Sequence, residues 1–265
     1  MLKVRVIPTL LWKDFGLVKG VGFDSWRRVG TILPAIKVYN TRDVDELILL
    51  DITATSDQRE PDYQSVADWS AECFVPLTIG GGIRALEHIT RLLHAGADKV
   101  SINTAAYENP SLVTKAANRF GAQCIVASID VRLSSEGRYE CYSRSGTTAT
   151  GREPADWARE LEERGAGEIL LTSVERDGTM NGYDLDLIKK VAGSVRIPVI
   201  ISGGARDYQN MLSAVKEGGA SAIAAASIFH FTQKTPLEAK SFLANNGVPV
   251  RSMKSLSSYA ISKSC

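Results

Sequence analysis

Cysteine is scarce in this chain, and Cys73, Cys124, Cys141 and Cys265 make no CxxC or other metal-ligating spacing. Three of them lie in apolar or strand-like context, which points to reduced thiols in a cytoplasmic protein. No apolar run approaches the ~20 residues that a membrane span needs. The chain starts directly with an apolar strand pattern and carries no signal-peptide pattern. Charge of one sign is also lacking: the formal net charge is +1, so there is no general electrostatic reason to expect nucleic acid or an anionic membrane. No metal and no organic cofactor is expected.

What is present is core-forming sequence. With 265 residues, 44% hydrophobic and 23% charged, the chain fits one large α/β domain or two small ones. Short Val/Ile/Leu-rich runs recur at Val4–Leu11, Leu47–Ile52, Val75–Ile79, Lys99–Ile102, Cys124–Ile129, Glu168–Thr172, Pro198–Ser202 and Ala222–Ala226. Being apolar on both faces, they suit parallel strands covered on both sides. Helical patterns lie between them, among them Glu87–Ala95, Pro110–Phe120, Pro154–Arg164, Leu185–Val191 and Tyr208–Glu217. Asn109-Pro110 and Glu153-Pro154 read as helix starts with proline in the first turn. Eight such units predict a (β/α)8 TIM-type barrel over residues 1–251. A doubly wound open sheet is the alternative.

The chain repeats itself. Glu46–Leu50 matches Glu168–Thr172, and Thr78–Arg84 matches Ile200–Arg206, both at an offset of 122 residues. Gly96–Val100 matches Gly219–Ile223 at 123. The barrel is therefore expected to be two fused half-barrels, about residues 1–121 and 122–251. The polar stretch Leu133–Thr150 is expected to form a loop or hairpin after the fifth strand. The Ser/Lys-rich residues 252–265 are expected to form a disordered tail.

Active sites of such barrels are built at the C-terminal strand ends. Gly80-Gly81-Gly82 and Gly203-Gly204 follow the third and seventh strands, where free backbone N–H groups suit a phosphate. Asn103-Thr104 and Ala226-Ser227 end the fourth and eighth strands and would complete each cradle. Glycine pairs also fit plain turns; their duplication at matching positions favours two phosphate sites and a substrate phosphorylated at both ends. The remaining polar strand ends are Asp51, Asp130, Thr172 and the turn Arg176-Asp177-Gly178-Thr179. Asp130 is expected to project into the mouth, the alternative being a carboxylate tied up by helix N–H groups or a lysine. Asp51 either orients the site or makes structural hydrogen bonds, and Asp177-Gly178 is also compatible with a plain turn. Lys19, in the loop Lys13–Gly22, is either a solvated loop lysine or part of a mobile cover that brings charge onto the substrate.

Position 11 stands out. If the first and fifth strands are counterparts, an acid matching Asp130 should end the first; Leu11 stands there instead. A reaction needing two opposed carboxylates has lost one of them.

Asp45–Thr53, Leu77–Arg84, Ala97–Asn103, Gly165–Ser173, Arg176–Thr179 and Ala225–His230 together resemble HisF, the cyclase subunit of imidazole glycerol phosphate synthase, over roughly residues 1–251. The resemblance implies a lyase subunit that receives ammonia from a HisH-like glutaminase docked on the N-terminal face as a heterodimer. It implies an ammonia gate of Arg5, Glu46, Lys99 and Glu168, four charges alternating with apolar residues near strand starts. Unpaired they would cost several kcal/mol, so a salt-bridged ring is expected, with a purely structural plug as the alternative. Asp98 matches a position contacting the glutaminase. Of the family's two acid/base aspartates one matches Asp130 and the other falls on Leu11, while Thr9 stands where the family usually has Cys.

The stretches Ile7–Leu11 and Gly16–Lys19 are more similar to HisF paralogues encoded with surface-polysaccharide genes, whereas the later part, from Ser227–Phe231 to Val250-Arg251, is more similar to ordinary HisF. The paralogues act with a glutaminase and an ATP-pyrophosphatase-type amidotransferase to place acetamidino groups on sugars. The function expected is thus the synthase subunit of a glutamine amidotransferase making an amidino or acetamidino sugar from a phosphorylated substrate. The alternatives are the cyclase of histidine biosynthesis and a non-catalytic scaffold that docks a glutaminase.

Overall fold

The computed structural model describes residues 3–14 and 16–251, so the expected tail at 252–265 lies outside the described residues. Its strands are β1 (Arg5–Lys13), β2 (Gly16–Val21), β3 (Asp24–Gly30), β4 (Leu47–Asp51), β5 (Leu77–Gly80), β6 (Lys99–Ile102), β7 (Ile125–Leu133), β8 (Tyr139–Ser143), β9 (Thr148–Ala149), β10 (Glu168–Ser173), β11 (Val199–Ser202) and β12 (Ala222–Ala225). Parallel pairing runs β10-β11-β12-β1-β4-β5-β6-β7, and β7 pairs back to β10, closing an eight-stranded barrel. Closure excludes the open-sheet alternative. It also explains the two-sided apolar runs, since one face of each strand packs inside the barrel and the other under helices.

Three layers fill the barrel from its base. At the strand starts Arg5 pairs with Glu46 at 2.7 Å and Glu168 at 3.1 Å, and Lys99 with the same two carboxylates at 3.0 and 2.9 Å. The four form the closed ring of alternating charge expected, each cation satisfied by both anions. Above it pack Ile7, Ile48, Val126, Leu170, Ile200, Ala222 and Ala224. Buried hydroxyls follow toward the mouth, among them Thr9, Ser101, Ser128 and Thr172.

The register makes the duplication spatial. Leu11 is the partner of Leu50 across β1 and β4, and Asp130 is the partner of Thr172 across β7 and β10. Because Leu50 and Thr172 are equivalent in the repeat, Leu11 and Asp130 occupy the same place in the two halves.

Each counterpart strand continues into a hairpin over the mouth. β7 pairs antiparallel with β8 and β8 with β9, as expected for the insert. The first segment is a correction: Lys13–Gly22 is no loop, because β2 pairs antiparallel with both β1 and β3.

The helices fall within a residue of the expected bounds: Leu86–His94, Ser111–Phe120, Pro154–Glu163, Leu185–Ala192 and Tyr208–Lys216. Their starts follow local chemistry. The carboxylates of Asp184 and Asp207 accept the backbone N–H groups of Leu187 and Asn210, and Glu153 caps the helix whose first residue is Pro154. Pro110 occupies the cap of Ser111–Phe120 instead of its first turn. No described helix is long and apolar enough to cross a membrane.

Candidate active site in the barrel mouth

One cavity opens at the C-terminal strand ends, enclosing about 1200 Å³ of empty space, open solvent at its rim included. Asp130, Leu11 and the expected phosphate and substrate residues all line it: Lys19, Asp51, Gly81, Gly82, Asn103, Thr104, Thr172, Asp177, Gly178, Gly203, Gly204, Ala226 and Ser227.

Asp130 is buried beside Thr172, and its Oδ2 accepts a hydrogen bond from Asn103 Nδ2 at 3.1 Å. Desolvation, and then the charge of Asp177, push its carboxyl up to about 7, with Arg132 opposing them. No helix N–H or lysine ties it up among its described partners. A carboxyl poised near neutrality inside a cleft is the arrangement general acid/base chemistry requires. Leu11, at the equivalent position, gives the opposite wall no such group.

Lys19 is neither solvated nor on a loose loop. It lies on β2, is only 3% exposed, and its Nζ meets Asp177 Oδ2 at 2.5 Å. The hairpin is docked there by its backbone as well: Gly22 N–H donates to the Asp177 carbonyl at 2.9 Å. A Cβ on Gly178, whose φ is +77°, would stand 2.2 Å from the Gly20 carbonyl. Asp177-Gly178 is therefore the seat of the hairpin and more than a plain turn.

Asp51 resolves toward structural bonding. Its Oδ1 accepts from the backbone N–H groups of Thr53 and Ala54 at 3.0 and 2.9 Å, and Arg59 reaches Oδ2 at 3.2 Å. It thereby fixes the loop under the first glycine cradle, where a Cβ on Gly81 would stand 2.2 Å from the Asp51 carbonyl. The glycines of both cradles adopt positive φ: +106° and +71° at Gly81 and Gly82, +92° and +102° at Gly203 and Gly204. In the second cradle Ser227 Oγ is buried with no hydrogen-bond partner among the described residues, an orphan that a bound oxyanion would satisfy. In the first, Asn103 turns its amide to Asp130 and Thr104 Oγ1 accepts from Arg144 N–H at 3.0 Å. Asn103 therefore positions Asp130 and does not complete the cradle with its amide.

Phe23 and Trp26, which the sequence does not mark as site residues, hang from the β2–β3 hairpin into the cavity. A strand signal existed in Gly16–Val21, with Gly22 as its turn. At the other end of the barrel Asp98 lies exposed beside the ring, its Oδ2 accepting from Leu77 N–H at 2.8 Å.

This mouth meets an independent finding: residues 5–235 match the family of histidine biosynthesis proteins. The chain belongs to the histidine biosynthesis protein family. Members of this family are typically enzymes of the HisA and HisF kind, isomerases and cyclases on a (β/α)8 barrel, and the chain is a HisF-like barrel of that type.

Proposed function

We propose that this barrel is the synthase subunit of a glutamine amidotransferase, adding ammonia to a phosphorylated acceptor to form an amidino or acetamidino sugar for surface polysaccharide. The observation that carries this reading is the register of Leu11 against Asp130: one acid/base carboxylate remains where a ring closure uses two. Ring formation needs proton transfers on opposite sides of the ring, whereas attack of ammonia on an amide carbon whose oxygen has been adenylated forms one C–N bond, breaks one C–O bond with release of AMP, and needs one group to take the proton from nitrogen. Asp130, poised near neutrality, serves as that base. The cradles at Gly81-Gly82 and Gly203-Gly204 bind the phosphates, beneath the hairpin that Lys19 anchors on Asp177.

Ammonia enters at the base through the ring of Arg5, Glu46, Lys99 and Glu168, supplied by a HisH-like glutaminase docked on that face, where Asp98 is available to it. The interior hydroxyls Ser101 and Ser128 offer hydrogen bonds on the way up. An ATP-pyrophosphatase-type amidotransferase activates the acceptor. The reduced thiols Cys73, Cys124 and Cys141 fit a cytoplasmic setting.

The second reading is the cyclase of histidine biosynthesis, favoured by the family match over residues 5–235. A phosphate titration followed by 31P NMR tests the shared premise. Two sites per chain are expected, one of them weakened by Ser227→Ala; absence of phosphate binding overturns both readings in favour of a scaffold.

A further inference from the structure

The mouth is chemically lopsided. Its second-half wall carries Asp130 and Thr172, while the equivalent places in the first half are Leu11 and Leu50. Over this apolar wall the β2–β3 hairpin holds Phe23 and Trp26, and all four line the one cavity. The aromatic pair is built in. A Cβ on Gly20 would stand 2.8 Å from Trp26 Cε3, so the indole rests on bare backbone that any other residue would occupy. A Cβ on Gly146, in the opposing hairpin turn, would stand 2.9 Å from Phe23 Cδ2, so that ring is wedged between the two hairpins. Phe23 itself keeps φ at +66°, a left-handed conformation unusual for an aromatic residue. A charged group placed against Leu11 and Leu50 would lose water without gaining a partner. An uncharged ring face or acyl group would bury apolar area there at no such cost.

We infer that the cavity contains, beside its phosphate cradles, an apolar subsite walled by Leu11, Phe23, Trp26 and Leu50, which takes the neutral, acylated ring of a phosphorylated substrate. The inference rests on the phosphate reading of the cradles and adds the chemistry of what lies between them. Trp26 is also the natural reporter, since Trp12, Trp69 and Trp157 are buried in the core and Trp26 is half-buried at the cavity.

The test titrates the intact chain with inorganic phosphate, glucosamine 6-phosphate and N-acetylglucosamine 6-phosphate, following heat and tryptophan fluorescence. The acetylated sugar is expected to bind about tenfold more tightly than inorganic phosphate and to quench fluorescence, which phosphate alone does not. In Trp26→Ala the ratio of the two affinities falls toward one and the quench disappears. In Leu11→Asp the preference shifts from the acetylated sugar toward the free amine, whose ammonium the new carboxylate can pair. Should either variant fail to fold, the quench in the native protein still decides. Phosphate binding with equal affinity for all three ligands and no quench overturns the subsite while leaving the cradles intact. No binding of any phosphate overturns the proposed function, and this inference with it.

Discussion

Asp130 and Leu11 share one position in two halves of a barrel, and their difference sets what the mouth can do. Asp130→Asn should lower turnover by about 10²–10⁴-fold while leaving phosphate binding measurable. With the free ammonia concentration held constant, the rate should rise with pH through about 7, as the base becomes ionised. Stability runs the other way. The folded-state pKa of about 7 lies above the unfolded 3.8, so ionisation costs the folded protein stability as pH rises between those values, and the penalty is complete above about 7. Asp130→Asn should therefore raise the melting temperature at pH 8 and change it little at pH 4; an equal shift at both pH values contradicts the assignment. Asp130 and Leu11 were legible in the sequence because each ends an apolar run whose counterpart could be found. Lys19 was not, because its burial depends on Asp177, which lies far along the chain and is brought to it only by closure of the barrel.

At the scale of elements, the strands and their repeat could be read directly, since a strand buried on both faces is a short unbroken apolar run. The β2–β3 hairpin could not. β3 is largely exposed, with Arg27 and Arg28 on it, and lacks the apolar alternation that marks a half-buried strand. What fixes it is backbone docking on Asp177-Gly178, a long-range contact with no local signature. Gly178→Ala should destabilise the fold by about 1–3 kcal/mol and open the hairpin to proteolysis, because its Cβ would collide with the Gly20 carbonyl at a positive φ. Cleavage within residues 13–30 at the native rate would show that the hairpin is held elsewhere.

For the whole molecule, a ring of four charges closes the base and a half-apolar mouth opens the top. Glu46→Ala removes one anion shared by Arg5 and Lys99, and chemical denaturation should show a loss of about 3 kcal/mol. If the ring is the gate, Glu46→Gln should change amidation driven by glutamine far more than amidation driven by added ammonium. Equal effects on both would make the ring a plug. Under the proposed function, the half-apolar mouth is what separates addition of ammonia from ring closure on the same frame. The measurement that tests it most directly is turnover of the bis-phosphorylated formimino-aminoimidazole carboxamide nucleotide with saturating ammonium, for the native chain and for Leu11→Asp. The native protein should show no ring closure, and Leu11→Asp measurable closure. Native turnover within about tenfold of the ~10 s⁻¹ common among enzymes would contradict this, and would show that Asp130 alone closes the ring.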